Sequence, residues 1–297
     1  MVFLGTAGFA VPALRAVSGN TVAVISRPDR PAGRGRKLRR PPVAEEAEKL
    51  GLQLMQPEKL VEIMDQVKEI GPDVMVSAAY GGWLPVWFLD LAPLGVVNIH
   101  PSLLPRHRGA APVIRSVLQG DDTTGVSFML TDQGWDTGDL LDVYEHPVGK
   151  NVTAGELEGE LAELAALKLP DVLLSYKAGE LPPFPQMGPA SYAEKVTPEE
   201  SEIDWSLSAG KLHNTVRAYN PVPGARTFFA GNMIKIHRTL AAVETGTPGE
   251  VICLNPVTIA CGEGSLVVLE LQPMGKRVMT GEEFARGYRL QEGSILG

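Results

Sequence analysis

Over the first half of the chain, short runs of consecutive apolar residues alternate with stretches of helical spacing. Val2-Phe3-Leu4, Val22 to Ile25, Val74-Met75-Val76, Val96 to Ile99 and Val126 to Leu130 read as buried strands. Between them, a helix is predicted from about Val11, with Pro12 in its first turn, where a missing N–H costs nothing. Val43 to Leu50, Leu60 to Ile70 and Ala110 to Leu118 also show helical spacing, and Ala154 to Tyr176 reads as a long helix broken or kinked near Pro170. Strands alternating with helices in this way predict a Rossmann-like α/β layer structure, a parallel sheet covered on both faces.

The pattern changes after about Ala178. Gly179-Glu180-Leu181-Pro182-Pro183-Phe184-Pro185 reads as a proline-rich connector. A short helix, Ser208 to Ala218, follows. Then come β-type runs at Arg226–Phe229, Met233–His237, Glu250–Leu254, Thr258–Cys261 and Leu266–Leu271, separated by glycine turns. About five strands at this spacing predict a small barrel. The expected organisation is therefore a catalytic-type α/β domain over 1–178, a linker over 179–190 and a β-rich domain over 191–297.

Composition adds little that is unusual. The chain has 297 residues, 44% hydrophobic and 21% charged. That is enough apolar material for sizeable cores without disulfides or metals. The two cysteines, Cys253 and Cys261, have no histidine at ligand spacing and fit a reducing cytoplasm. Residues 74–99 carry one charge, Asp90, but glycines and prolines cut the run into strand lengths, so no membrane span is expected. The apolar N-terminus lacks a preceding basic residue, which argues against a signal peptide.

Charge changes the picture more. The net charge is −8, which taken alone argues against a nucleic-acid partner. Yet Ser26 to Pro42 holds Arg27, Arg30, Arg34, Arg36, Lys37, Arg39 and Arg40 against Asp29 alone, a net +6 that leaves −14 on the remainder. With four prolines and two glycines over residues 27–42, the segment is expected to be a loop. One basic loop on an acidic body points to a local anionic partner, although charge runs are often only solvated surface.

The sharpest chemical feature is Asn98-Ile99-His100-Pro101-Ser102-Leu103-Leu104-Pro105. Alternation puts Asn98 and His100 on one face at the carboxyl end of a strand, where ligands bind in open parallel sheets. A satisfied polar cluster at a strand end would look the same. After the next strand comes Asp132-Gln133-Gly134-Trp135-Asp136-Thr137-Gly138-Asp139. This run reads as a metal loop, a solvated turn, or a source of one carboxylate for His100. The Gly5-Thr6-Ala7-Gly8 turn is no dinucleotide fingerprint, and neither a P-loop nor a nucleophile elbow is present.

These residues resemble the folate-dependent formyltransferases. Asn98-x-His100 with Ser102-Leu103-Leu104-Pro105, followed by Asp136 in an Asp-Thr-Gly turn, carries the resemblance, and His100 through Pro112 extends it. The basic run Arg27 to Lys37, Ile203-Asp204-Trp205-Ser206-Leu207-Ser208, Arg217-Ala218-Tyr219-Asn220-Pro221 and the opening Val2 to Thr6 with Phe9-Ala10 are similar to the members that act on charged tRNA. The resemblance implies a formyl group moved from 10-formyltetrahydrofolate to the α-amine of methionine on initiator tRNA, with no metal. It implies a C-terminal OB-like domain that helps hold the tRNA. It also implies Asn98, His100 and Asp136 as catalytic residues, and Ser102, Leu103, Leu104, Pro105, Trp83 and Leu84 around the pteridine. The seven cations of the basic loop would contact tRNA phosphates. A cytoplasmic monomer is expected. Two other readings remain: a formyltransferase for a small amine such as a nucleotide-sugar or glycinamide ribonucleotide, and a non-catalytic tRNA- or folate-binding protein.

Overall fold

The structure, a computed structural model, describes residues 1–32 and 37–297. The chain divides into two units. The first comprises Met1–Gly109, Thr124–His146 and Glu158–Tyr192; the second comprises Ala110–Thr123, Pro147–Leu157 and Ala193–Gly297.

The first unit is built from β1 (Val2–Gly5), α1 (Ala10–Val17), β2 (Ala23–Ile25), β3 (Arg30–Ala32), β4 (Lys37–Arg39), α2 (Pro42–Lys49) and β5 (Gln53–Met55). These are followed by α3 (Met64–Ile70), β6 (Met75–Ala78), α4 (Val86–Leu89), β7 (Val96–His100), β8 (Arg108–Gly109), β9 (Thr123–Leu130) and β10 (Leu140–Pro147). One sheet runs in the order β10-β9-β7-β6-β1-β2-β5. Strands β5, β2, β1, β6 and β7 are parallel, as the strand–helix alternation predicts. The sheet is parallel in its main part, and one edge departs from it: β9 pairs antiparallel with β7, with His100 opposite Ser127.

Alternation along β1 explains why the sheet is covered on both sides. Val2 and Leu4 face a core shared with Ile63, Val67, Leu84 and Phe88, contributed by α3, α4 and their flanking turns. Phe3 points the other way and is also fully buried, on the side where α1 and α2 pack against β1 and β2. Truncating the fully buried Phe88 to alanine is expected to cost about 3–5 kcal/mol through lost transfer energy and the cavity left behind.

Two expectations are corrected. The basic segment is not wholly a loop, because β3 and β4 pair antiparallel, Arg30 opposite Arg39 and Ala32 opposite Lys37. Each strand is only three residues, and its one apolar pair, Pro31 opposite Leu38, is too short a pattern to mark it. The helix Ala154–Lys177 runs unbroken through Pro170. Pro170 is exposed, so the carbonyl it leaves without an N–H can turn to water.

The second unit has an antiparallel sheet in the order Ala225–Phe229, Asn232–Ala242, Ser265–Pro273, Val257–Ala260, Val251–Leu254, with Met279–Thr280 beside Ser265–Pro273. Its core gathers Trp205, Leu212, Val216, Ile234, Ile236, Leu266, Val268 and Phe284. The Asp-Trp-Ser motif works structurally here. Asp204 Oδ1 accepts from the N–H and hydroxyl of Ser206, and the buried Trp205 donates its indole N–H to Thr227 Oγ1 at 3.0 Å. Gly262 is required at its position, since a Cβ would lie 1.8 Å from the Ser206 carbonyl oxygen.

Candidate active site

The carboxyl end of β7 carries Asn98 and His100, two residues apart and therefore on one face. Asn98 is half-buried, and His100 is 4% exposed. His100 Nε2 lies 3.0 Å from the carbonyl oxygen of His107. A carbonyl only accepts, so Nε2 carries the proton and Nδ1 is left for the site. Nδ1 faces Asp136 Oδ2 at 3.7 Å. The structure thus brings an imidazole from a strand end and a carboxylate from a separate loop into one place, with Asn98 on the same strand face as the imidazole.

Asp136 sits on the loop between β9 and β10 with a φ of +53°, a left-handed conformation that is strained for a residue with a Cβ. Three contacts hold it there. Its Oδ2 accepts the Gly109 N–H at 2.8 Å. Its carbonyl accepts from Gln186 Nε2 at 3.0 Å, and the same nitrogen donates to the Gly138 carbonyl at 2.8 Å. The loop also turns on Asp132, whose carboxylate accepts the Gly134 N–H and the Thr137 hydroxyl. Gly138 has no room for a side chain, because a Cβ would stand 1.8 Å from the Leu130 carbonyl oxygen. Asp132 and Asp136 therefore do different work, and among the described residues no group of His, Cys, Asp and Glu is placed to hold a metal ion.

The turn after His100 is folded inward. Ser102 is fully buried and its hydroxyl donates to the Arg106 carbonyl at 2.7 Å. Ser127, opposite His100 on β9, donates to the Ser102 carbonyl and accepts the Leu104 N–H. Leu104 packs with Met129 and Leu140, Leu103 is half-buried, and Pro105 follows a cis peptide bond. Leu84 is buried in the core beneath α4. Trp83 is different, being 50% exposed with its ring 5.4 Å from that of Trp135, the residue before Asp136. Trp83 also borders a cleft of about 380 Å³ lined by Arg27, Lys59, Tyr80 and Trp87 among others. That volume is in the range of small-molecule sites. Burial pushes the Tyr80 phenol up, and its hydrogen bond to Arg27 opposes the shift.

Four of the seven basic-loop cations have described side chains. Arg27 lines the cleft, Arg30 pairs with Glu58 at 2.5 Å, Arg40 pairs with Glu48 at 2.5 Å, and Arg39 is exposed. Arg34 and Arg36 lie outside the described residues, as does the side chain of Lys37. Sequence reasoning did not single out Trp135, Gly109 or Gln186. An aromatic beside the loop carboxylate was a usable signal for the first; the other two act through backbone geometry, which no local pattern marks.

Comparison with known proteins bears on this geometry. Residues 11–173 match the formyl transferase family, and residues 195–289 match the formyl transferase C-terminal domain. The methionyl-tRNA formyltransferase of Ruminiclostridium cellulolyticum is 39% identical over 310 residues, covering 100% of this chain and 99% of that protein. The enzyme of the same name from Myxococcus xanthus is 41% identical over 301 residues, covering 99% and 96%. Among solved structures, the methionyl-tRNA formyltransferase of Clostridium thermocellum has a TM-score of 0.56 at 17% identity, covering 80% of this chain and 92% of that one. An N-formyltransferase from Helicobacter canadensis, in complex with folinic acid and dTDP-3-aminofucose, has a TM-score of 0.70 at 18% identity, covering 90% and 97%. At those identities the structures speak for the shared fold. The full-length sequence matches, together with both family domains, place this chain in the folate-dependent formyltransferase family, among the methionyl-tRNA formyltransferases.

Proposed function

We propose that this chain transfers the formyl group of 10-formyltetrahydrofolate to the α-amino group of methionyl initiator tRNA, and that Asn98, His100 and Asp136 carry the chemistry. The single observation that supports the site most directly is the approach of His100 Nδ1 to Asp136 Oδ2 beside Asn98 at the carboxyl edge of the sheet.

The neutral amine attacks the formyl carbon and a C–N bond forms. The carbonyl oxygen takes up the displaced electron pair. The Asn98 amide N–H donates to that oxygen; single donors of this kind elsewhere are worth about 2.7–4 kcal/mol. The gap of 3.7 Å between imidazole and carboxylate is longer than a direct hydrogen bond. A water or the substrate nitrogen lying to one side of the pair can bridge both atoms, so Asp136 takes the amine proton through that bridge and orients His100. The tetrahedral intermediate then collapses. The bond to N10 breaks as the amine proton, passed from Asp136 to His100 Nδ1, is delivered to that nitrogen, and formyl-methionyl-tRNA and tetrahydrofolate leave. No covalent enzyme intermediate is needed.

Folate fits the residues present. The Trp83–Trp135 pair offers an apolar wall beside Asp136, and the turn from Ser102 to Pro105 closes the other side of His100. Leu84 supports Trp83 from below as part of the core. For the tRNA, the cations on and around the β3–β4 ribbon serve as phosphate contacts, and residues 191–297 act as the OB-like tRNA-binding domain, joined through the 179–190 segment to the catalytic domain of 1–178. The last 108 residues carry 10 basic and 12 acidic groups, so most of the attraction to phosphate comes from the ribbon. Among the described residues no helix is long and apolar enough to cross a membrane; a cytoplasmic monomer is the state proposed for the protein.

The test is substrate competition. The protein is incubated with 10-formyltetrahydrofolate and either methionyl initiator tRNA or small amines, including a nucleotide-linked amino sugar and glycinamide ribonucleotide. Formyl transfer to the tRNA substrate is expected to dominate. Preferential transfer to a small amine would replace this reading, and no transfer at all would end it.

A further inference from the structure

Gln186 lies in the segment whose composition reads as a connector, yet its side chain amide uses every hydrogen-bonding capacity it has. Nε2 donates one hydrogen to the carbonyl of Asp136 at 3.0 Å and the other to the carbonyl of Gly138 at 2.8 Å. Oε1 accepts from Arg108 twice, from Nε at 3.1 Å and from Nη2 at 2.6 Å. An amide offers two donors and two acceptor lone pairs, so nothing is left over and the amide cannot be flipped without breaking all four contacts.

The partners give this arrangement its meaning. Arg108 is followed by Gly109, whose N–H holds the Asp136 carboxylate at 2.8 Å. Gln186 therefore grips the main chain of Asp136 directly and the donor to its carboxylate through one neighbouring residue. The segment is pinned on both sides. Phe184 exchanges two main-chain hydrogen bonds with Leu140, just past the loop, and Ser191 accepts the Arg108 N–H through its carbonyl and the His107 N–H through its hydroxyl. His107 in turn is the residue whose carbonyl fixes His100. The strap from 184 to 191 thus touches the chain at and just after the catalytic carboxylate, at Asp136, Gly138 and Leu140, and at His107 beside the catalytic imidazole.

We infer that Gln186 is a positioning residue for formyl transfer. It holds Asp136 in its left-handed conformation and so sets the spacing to His100. A residue with a Cβ at positive φ lies above its relaxed conformation, so the loop relaxes when that grip is lost. This inference rests on the catalytic role proposed for Asp136. It makes a demand that a merely structural role would not: the loss should appear in turnover and only through Asp136.

The experiment uses Q186A, Q186E, D136N and the double variant D136N/Q186A in the full chain. Q186A is expected to lower kcat on the order of 10²-fold, the scale of a misplacement of about 1 Å, with KM for both substrates within about twofold of wild type. Q186E keeps the acceptors for Arg108 but sets a carboxylate against two carbonyls. It is therefore expected to lose kcat as Q186A does while melting no lower than Q186A. The double variant should be no slower than D136N alone. Wild-type kcat in either single variant, a loss confined to KM, or losses that multiply in the double variant would each overturn the inference. Amide hydrogen exchange over residues 132–139 gives a readout free of turnover and should rise in both single variants; unchanged exchange would also overturn it. The wild-type assay separately tests the proposed reaction, so the two failures can be told apart.

Discussion

Asp136 Oδ2 stands 3.7 Å from His100 Nδ1 while accepting the Gly109 N–H at 2.8 Å. The carboxylate is therefore fixed by the backbone and only approaches the imidazole, so a proton carrier beside the pair can bridge them. Asp136→Asn keeps an oxygen for Gly109 but removes the charge and the base. Turnover is expected to fall by about 10²–10⁴-fold, the usual worth of general acid–base help, while folate binding stays nearly intact. Steady-state kinetics with a separate folate titration checks this; near-normal turnover would remove Asp136 from the chemistry.

The ribbon cations make a salt-dependent prediction. Arg39 is exposed, whereas Arg30 and Arg40 are already engaged by Glu58 and Glu48. Arg39→Gln is therefore expected to flatten the slope of log affinity for tRNA against log salt by roughly 0.7–0.9, one phosphate contact. A slope unchanged across the titration would take Arg39 out of the interface.

In the second unit, Glu156 is held well below the ordinary carboxylate range, at about 2, first by the Thr153 N–H and then by Arg238. A depressed folded value means the contact stabilises above the unfolded value of about 4.5, and the contribution is lost as pH falls toward about 2. Glu156→Gln should melt below wild type at pH 7, with the difference narrowing below about pH 4.5 and closing only near pH 2. Melting curves across that range decide it; a difference independent of pH would contradict the assignment.

Cys261 is 2% exposed, and burial pushes its thiol up to about 11. Cys253 is only half-buried. An alkylating reagent at neutral pH should label Cys253 first and Cys261 only with unfolding, as peptide mapping over time would show. Early labelling of Cys261 would mean that the core around it opens.

Much of this was legible from the sequence because burial writes itself as pattern. The continuous apolar runs at Val2, Val74 and Val96 became β1, β6 and β7, and the face shared by Asn98 and His100 followed from strand alternation. What was not legible lay at edges and in contacts far apart along the chain. Strands β5 and β10 are sheet edges with mixed burial, so neither a clean run nor a clean alternation marks them. The helix Gly281–Tyr288 had a usable signal, the Thr280–Glu283 capping box, which does form. Gln186 had none, because a proline-rich stretch reads as a connector wherever its side chains go. Nor does sequence spacing tell whether Asp136 reaches His100; that depends on a left-handed residue and on Gly109.

The central claim is that amide, imidazole and carboxylate act together on one carbonyl carbon. Its most direct test is the single-turnover rate of formyl-methionyl-tRNA formation by His100→Ala with both substrates bound. The account predicts a rate at least about 10²-fold below wild type with folate affinity retained. A rate equal to wild type under those conditions would contradict it.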